Sequence, residues 1–318
     1  MKDHTAFNNL LNVWEQEKAA ALEHPVSPGD VLTGERVPDK EISRPPYNYD
    51  HHYVSRLLPA RENDHHYVSR LPAREKVFDT HPRRVCIKLE KALRAGLNCW
   101  SQVWLASVTS SCTPKATDRE IVVKLFQEGL FPKPDLYWDG KGQSRAGELC
   151  MKERWAYNVL EPLQGCELAH YYGLFNFTLP SSQQVLGLAI EYVRGEPISH
   201  NMKTMTGADW NARDAMTQLA SIVHGINSYG VNHGDLRPSN VLHISSSGCL
   251  VILDFARASP IDSVSVDKQP DYAGEWKCFC AIAGQQDAYE WLEERIKAGD
   301  PWAEQFTPKW ILSSLTDE

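Results

Sequence analysis

The chain has 318 residues, of which 42% are hydrophobic and 23% are charged, and its formal net charge is −8 at pH 7. This length is sufficient to bury a core in one large domain or in two lobes, and the composition is ordinary for a globular protein. The negative net charge gives no support to general nucleic-acid binding.

Cysteine usage and hydropathy predict an intracellular protein. The eight cysteines form no Cys-x-x-Cys pair, and only Cys278 and Cys280 stand close together. The polar start of the sequence has no signal-peptide pattern, so we expect reduced thiols in the cytoplasm or the nucleus. No apolar run approaches membrane-spanning length, which predicts no membrane partner.

Residues 1–76 are expected to form a helix and then a linker. Apolar residues recur at helical spacing within residues 1–24, whereas prolines and glycines interrupt residues 25–76. Within the linker, the segment that starts at Asp50 recurs from Asp64. Two copies are too few for a solenoid, which favours a local duplication. The paired histidines of the repeat lack cysteines or carboxylates at ligand spacing, which argues against a metal site there.

The region after residue 77 has a mixed pattern of strands and helices. Apolar runs predict strands at 85–89, 104–108, 121–126, 167–178, 184–193, 241–244 and 249–254. Helices are predicted at 147–160, at 209–229 and at 276–298, with a loop over 259–274. Thr206 and Asp209 suit a capping box at the start of the second of these helices, and Gly230 suits its end.

The segment from His233 to Asn240 and the later Asp254 carry groups that suit phosphoryl transfer. Asp235 can orient or deprotonate a hydroxyl, and Arg237 can neutralise charge on a moving phosphoryl group. Asn240 and Asp254 offer the oxygen ligands that Mg²⁺ prefers. The alternative is that Asp235 and Asn240 only cap turns.

The pattern His-x-Asp-Leu-x-x-x-Asn followed by Asp254-Phe255 resembles the catalytic segments of the protein-kinase-like superfamily. Gly234 also resembles the His-Gly-Asp form of aminoglycoside- and choline-type kinases, and the run that starts at Glu153 resembles kinase-like proteins of filamentous fungi. The resemblance covers about residues 84–256. It implies an α+β, two-lobed fold, with a β-rich N-lobe and hinge at 77–193 and a shortened helical C-lobe at 194–318.

The same resemblance implies a nucleotide site. Gly96 and Val103 fit the glycine loop of kinases, although Asn98 and Ser101 replace its second and third glycines. Lys124 lies on the strand that also carries Val122, and it fits the lysine that binds the ATP phosphates.

Two further features complete the predicted nucleotide site. Glu153 lies on the apolar stripe of its helix, where a carboxylate requires a cation, so it is the expected partner of Lys124, with Glu148 as the alternative. Ile190 would line the back of the adenine pocket, and backbone groups from Glu191 to Val193 would bind adenine as a hinge.

The sequence therefore predicts an enzyme that uses ATP and Mg²⁺ to phosphorylate a hydroxyl, nominally a protein Ser or Thr. A small-molecule kinase is an alternative, favoured by Gly234, Arg237 and the short C-terminal region. A pseudokinase that acts as a nucleotide-binding scaffold is another, favoured by the altered glycine loop. Because Gly234 replaces the Arg of His-Arg-Asp, we expect no switch by phosphorylation of an activation loop.

Overall fold

The structure, a computed structural model, describes residues 4–38, 74–76, 82–109, 120–134, 145–198, 211–261, 272–300 and 303. The α+β class predicted from the sequence is confirmed. The chain divides into two compact units, the first made of residues 1–48, 75–155 and 170–192 and the second of residues 49–74, 156–169 and 193–318. Apart from Arg74 and Glu75, the tandem repeat lies outside the described residues.

The first unit is built around a closed antiparallel barrel of six strands. In chain order these are β1 (Val31–Arg36), β2 (Arg84–Arg94), β3 (Gln102–Val108), β4 (Glu120–Leu125), β5 (Tyr171–Thr178) and β6 (Gln184–Glu191). They pair in the order β1-β2-β3-β4-β6-β5, and β5 pairs back onto β1. Successive side chains of a strand point to opposite faces, so alternate residues fill the barrel interior.

Strand β1 lies in a segment that the sequence analysis assigns to the linker. Leu32 is fully buried and lies opposite Ile87 of β2, whereas Gly34 lies opposite Phe177 of β5. A Cβ atom at Gly34 would be 2.6 Å from the Phe177 ring. The linker prediction is therefore wrong for residues 31–36, because the glycine that suggests a break is the residue that allows this strand to approach Phe177.

Two helices complete the described part of the first unit. Helix α1 (His4–Glu23), which the sequence predicts, buries Trp14 and Ala21 and packs on the 3₁₀ turn at Glu128–Leu130. The contact is close, since a Cβ atom at Gly129 would lie 2.4 Å from the backbone of Glu17. Helix α2 (Arg145–Val159) also matches the prediction, and its residues up to 155 belong to this unit.

The second unit combines helices with short strands. The helices are α3 (Ala212–Ser228), α4 (Tyr272–Ala283) and α5 (Gln285–Lys297). The strands are β7 (Glu196–Pro197), β8 (Val231–Asn232), β9 (Val241–Ile244), β10 (Cys249–Ile252) and β11 (Ser259–Pro260). The segment 233–240 is held at both ends by strands. It follows β8, which pairs with β11, and it leads into β9, which lies between β10 and β7 in a three-stranded sheet. In the described part of the chain, no helix has the length and apolar character needed to cross a bilayer.

Helix α3 begins with a different cap from the one predicted. The Asn211 side chain accepts hydrogen bonds from the backbone nitrogens of Arg213 and Asp214 at 3.0 and 3.3 Å. The predicted capping residues, Thr206 and Asp209, lie outside the described residues. An asparagine oxygen satisfies the first amides of a helix as well as a threonine or an aspartate does, so the sequence alone did not distinguish the caps.

The C-terminal helical region differs from the single helix predicted over residues 276–298. Gly284 has a φ of +83° and separates α4 from α5. Its ψ is 159°, and this extended backbone with a positive φ, which is essentially limited to glycine, cannot continue a helix. The apolar periodicity of the two helices continues across the break, which is why the pattern predicts one element.

Candidate active site

A buried ion pair joins β4 to α2 in the first unit. Nζ of Lys124 donates to Oε2 of Glu153 at 2.7 Å, and the two side chains are 7% and 0% exposed. The predicted pairing is therefore present. The alternative partner, Glu148, instead pairs with Lys152 one turn along the same helix. Leaving either Lys124 or Glu153 buried without the other would carry a large desolvation cost, so each charge depends on its partner.

Strand register places four of the predicted nucleotide-binding residues on the outer face of the barrel. Val103 lies opposite Lys124, and Val122 lies opposite Ile190. Residues that lie opposite each other share a face, as do residues two apart on one strand, so these four side chains share one face. Core side chains occupy the opposite face: Trp104, Val123 and Ala189.

The turn between β2 and β3 keeps a glycine-like backbone at two positions. Gly96 has a φ of +121° and Asn98 a φ of +61°. Asparagine tolerates the left-handed region better than most residues, so Asn98 preserves a conformation available to the glycine that it replaces. The loop is thus altered in its side chains more than in its backbone.

A side chain that sequence reasoning missed holds this turn. Oε1 of Gln102 accepts from the Gly96 nitrogen at 2.6 Å, and its Nε2 donates to the Gly96 oxygen at 3.0 Å. The Gly96 N–H is therefore used within the loop. In the sequence, this role could have been inferred from a glutamine that stands at the start of a largely apolar strand.

The predicted hinge residues also have internal contacts. The Glu191 nitrogen donates to the His170 oxygen at 2.8 Å, and Oε2 of Glu191 accepts from the His170 nitrogen at 2.9 Å. The Glu191 N–H is thus used within the first unit, and the proposed adenine contact of the 191–193 backbone stays a prediction. Val193, in the second unit, accepts from the Gly195 nitrogen at 3.0 Å and buries its side chain.

In the second unit, His233 fixes the loop that carries Asp235. Nε2 of His233 lies 3.0 Å from the Leu253 oxygen, and its Nδ1 accepts from the Asp235 nitrogen at 3.3 Å. These partners place the ring proton on Nε2, which then donates to Leu253. The ring also packs on Phe255, with centroids 4.7 Å apart. Both ring nitrogens thus serve to order the loop.

Asn240 is oriented by the same loop. Its Nδ2 donates to the Asp235 oxygen at 2.8 Å, and its backbone oxygen accepts from the Leu253 nitrogen at 2.8 Å. Because the amide nitrogen is a donor inside the loop, the amide oxygen is the atom suited to a hard cation. The donor set of Asn240 and Asp254, an amide and a carboxylate, fits Mg²⁺ that takes its remaining ligands from phosphate and water.

Asp254 follows β10 in an unusual backbone conformation. Its φ is +69°, one of three positive values among the non-glycine residues described. Such conformations cost free energy and are common at functional sites. In the described part of the chain, no group of three or more His, Cys, Asp or Glu side chains is arranged to hold a metal ion.

Asp235 and Arg237 form an ion pair at the loop surface. Nη2 of Arg237 lies 3.3 Å from Oδ2 of Asp235, and the side chains are 42% and 27% exposed. A partly exposed pair at this distance is weak, so the carboxylate can exchange this partner for a substrate at small cost.

The glycine of the His-Gly-Asp segment is required by the backbone. Gly234 has a φ of +73°, and a Cβ atom there would lie 2.3 Å from the Arg257 oxygen. The Arg found at this position in His-Arg-Asp segments would not fit this backbone. The close approach of the Arg257 oxygen therefore explains why residue 234 is a glycine and not the Arg of His-Arg-Asp.

A second residue that sequence reasoning missed lies next to His233 of the 233–240 segment. Glu275 on α4 is 1% exposed and lines a small cavity together with Asn232 and His233. In the sequence, the burial of Glu275 could have been inferred from its place as an acidic residue in a largely apolar helix. Its position makes Glu275 part of the environment of His233.

Comparison with known proteins leaves the family of this chain open. No protein-family model matches it, and no curated protein matches it. Among solved structures it is similar to the crystal structure of the Mycobacterium tuberculosis PknI kinase domain, C20A mutant. That likeness has 16% identity and a TM-score of 0.40, and it covers 62% of this chain and 74% of that chain. Such values carry no conclusion about activity.

Proposed function

We propose that this chain is an ATP- and Mg²⁺-dependent phosphotransferase of protein-kinase-like fold, with a hydroxyl, nominally of a protein Ser or Thr, as the acceptor. The observation that carries the proposal is the buried ion pair of Lys124 and Glu153. Buried ion pairs seldom stabilise a fold more than apolar residues of similar volume would. A pair retained beside apolar side chains on the outer face of a barrel is therefore better explained by an anionic ligand.

The ion pair of Lys124 and Glu153 would supply the electrostatic part of the mechanism. Glu153 holds the Lys124 ammonium in one position, and that ammonium would neutralise the ATP α- and β-phosphates. Val103, Val122 and Ile190 share its face and would contact the adenine and ribose. Because the ammonium is oriented before the nucleotide binds, little reorganisation would be needed during transfer.

The loop from His233 to Asn240 supplies the acceptor side. Both backbone groups of Asp235 are hydrogen-bonded, to His233 and to Asn240, so the carboxylate is held in a defined direction. Asp235 would orient the acceptor hydroxyl and receive its proton, and Arg237 would stabilise negative charge on the transferred group. Asn240 and Asp254 would hold Mg²⁺, which would supply positive charge to offset the charge of the phosphates.

Two alternatives each have an observation in their favour. A nucleotide-binding scaffold without turnover is favoured by the Gly96–Gln102 bonds, because the Gly96 N–H is already satisfied. A small-molecule kinase is favoured by Gly234, because its backbone excludes the arginine that reads a phosphorylated activation loop.

The deciding experiment is ADP production from Mg·ATP, with a mixed protein substrate in one assay and a panel of small hydroxylated metabolites in another. We expect wild-type turnover, and a loss of about 10²- to 10⁴-fold in Asp235→Asn with nucleotide binding retained. Ser239→Ala, an exposed position in the same loop, is the matched control and should keep its activity.

Each result has a clear meaning. The pool that responds identifies the acceptor class. Wild-type protein that binds ATP without turnover in either pool would favour the scaffold. Turnover that survives Asp235→Asn would exclude the proposed role of Asp235.

A further inference from the structure

The turn at residues 165–168 in the second unit binds an arginine from the end of the tandem repeat. Nη1 of Arg74 donates to the Cys166 oxygen at 2.7 Å, and Nη2 donates to the Leu168 oxygen at 2.6 Å. The Arg74 backbone nitrogen also donates to the Gly165 oxygen at 2.9 Å. Three carbonyls of one turn are thus satisfied by one half-buried residue, which makes Arg74 a specific contact.

The turn also has hydrogen bonds within the second unit that do not involve Arg74. The Gly165 nitrogen donates to the Leu168 oxygen at 2.8 Å, and the Ile252 nitrogen donates to the Glu167 oxygen at 2.9 Å. Gly165 and Leu168 are buried, and Gly165 has a φ of +83°. Arg74 adds three hydrogen bonds to this set, so the turn is expected to open more often when no arginine is docked.

Glu167 makes the turn favourable for a cation. Glu167 is a residue of the turn and is 8% exposed. Burial raises the pKa of Glu167, and the charge of Arg74 acts in the opposite direction. A guanidinium therefore meets two carbonyls beside a buried acid, whereas a neutral apolar side chain would remove the arginine donor from both carbonyls.

The sequence contains a second copy of this ligand. Arg74 belongs to the segment Leu71–Glu75, which reads Leu-Pro-Ala-Arg-Glu, and the same five residues occur at Leu58–Glu62. The duplication thus includes the residue that binds the turn. Nothing in the five-residue sequence distinguishes Arg61 from Arg74 as a ligand.

We propose that the turn at residues 165–168 is a docking site for Leu-Pro-Ala-Arg-Glu, and that the copy containing Arg61 in the same chain exchanges with the copy containing Arg74. The exchange shifts the register of the docked segment by 13 residues. This inference does not depend on phosphotransferase activity.

Chain length permits the exchange. Arg61 follows Pro38 by 23 residues, which can span roughly 75 Å when extended. The cost of closing a loop grows slowly with its length, so two identical ligands at these spacings are expected to differ only a few-fold in occupancy. The fixed φ of the proline in each copy also limits the entropy lost on docking.

Hydrogen exchange at the amides of Gly165 and Leu168 tests the proposal. We expect Arg61→Ala and Arg74→Ala each to exchange within about three-fold of wild type, because the remaining copy still docks. The double variant Arg61→Ala/Arg74→Ala should exchange at least ten-fold faster. Arg56→Ala/Arg70→Ala removes two arginines of the repeat outside the docking segment and should match wild type.

A second double variant keeps the positive charge at both positions. Lysine cannot donate to two carbonyls from one planar group, so Arg61→Lys/Arg74→Lys should lose protection as the alanine double variant does. If Arg74→Ala alone loses as much protection as the double variant, the first copy does not dock and the proposal is overturned. The proposal also fails if the double variant exchanges like wild type.

A labelled peptide of sequence Leu-Pro-Ala-Arg-Glu provides an independent readout. We expect it to bind the alanine double variant at least ten-fold more tightly than wild type, in which the intramolecular copies compete at high effective concentration. Leu-Pro-Ala-Ala-Glu should not bind. Equal binding to wild type would overturn intramolecular docking. A concentration-dependent dimer of Arg74→Ala would overturn exchange within one chain in favour of exchange between chains.

Discussion

The Lys124 ammonium and the Glu153 carboxylate lie 2.7 Å apart in the first unit, with both side chains almost completely buried. The strand contributes the cation and the helix contributes the anion, so the pair also fixes α2 against β4. Nζ of Lys124 lies 5.5 Å from the centre of the Phe126 ring, a contact that adds to its fixed position. Stability and the proposed phosphoryl transfer therefore involve the same two side chains and need separate measurements.

Breaking this pair on one side should destabilise the fold. Lys124→Met leaves Glu153 buried without its cation, so we expect a loss of about 3–5 kcal/mol in the free energy of unfolding, measured by urea denaturation. The double variant Lys124→Met/Glu153→Leu should recover most of that loss, because no charge then remains buried. It should fold and still lack turnover.

The control for this experiment lies on the same helix. Lys152→Met removes a more exposed pair with Glu148 and should cost at most about 0.5 kcal/mol. A double variant no more stable than Lys124→Met would show that the loss comes from packing at the lysine and not from an unpaired charge.

Gly234→Ala should lower the free energy of unfolding more than Gly248→Ala, although the two glycines have similar φ values. Gly234 and Gly248 have φ values of +73° and +69°, but only at Gly234 would a Cβ atom meet another atom, the Arg257 oxygen at 2.3 Å. Gly248→Ala should cost about 1–2 kcal/mol from the left-handed conformation alone. Gly234→Ala should cost at least twice as much by the same urea titration, and equal costs would contradict the close contact with Arg257.

Asp254→Asn and Asp254→Ala should separate metal binding from backbone strain. The φ of +69° is tolerated by asparagine, so Asp254→Asn should keep the wild-type stability, whereas Asp254→Ala should lose about 1 kcal/mol. Both should weaken the Mg²⁺ dependence of nucleotide binding, measured by calorimetry at several Mg²⁺ concentrations. An unchanged Mg²⁺ dependence in both variants would remove Asp254 from the metal site.

Glu17→Gln should raise stability at neutral pH. Burial, and then the nearby Glu128 carboxylate, raise the pKa of Glu17 in the folded state. The protonated form is therefore favoured by the fold, and this contribution is complete below the unfolded pKa and is lost as the pH rises through the folded pKa. The melting temperature of Glu17→Gln should exceed that of wild type at pH 7, and the difference should vanish towards pH 4.

The exposed Glu15 on the same helix provides the control, since Glu15→Gln removes a surface charge without changing the contact with the 128–130 turn. A Glu17→Gln difference that persists unchanged at pH 4 would show that the effect is not one of ionisation.

Local patterns identified most elements of both units and the chemistry-bearing residues within them. The stripe of α2 placed Glu153 on the buried face, and a carboxylate there required a cation, which made Glu153 the expected partner of Lys124. Periodicity of this kind reports which side of an element is buried, because burial follows from the geometry of one helix or strand. The six-stranded closure and the place of β1 in it could not be found in this way, since they depend on pairing between distant segments.

By itself the sequence determined the α+β class, the lysine strand, the polar segment from His233 to Asn240 and the duplicated Leu-Pro-Ala-Arg-Glu. Tertiary structure decided which backbone groups are already used, as at Gly96 and Glu191, why residue 234 is a glycine, and where Arg74 binds. The physical reason is that residue type and spacing record local preference and burial. Hydrogen-bond partners and close backbone approaches arise only when segments far apart in the sequence are brought together.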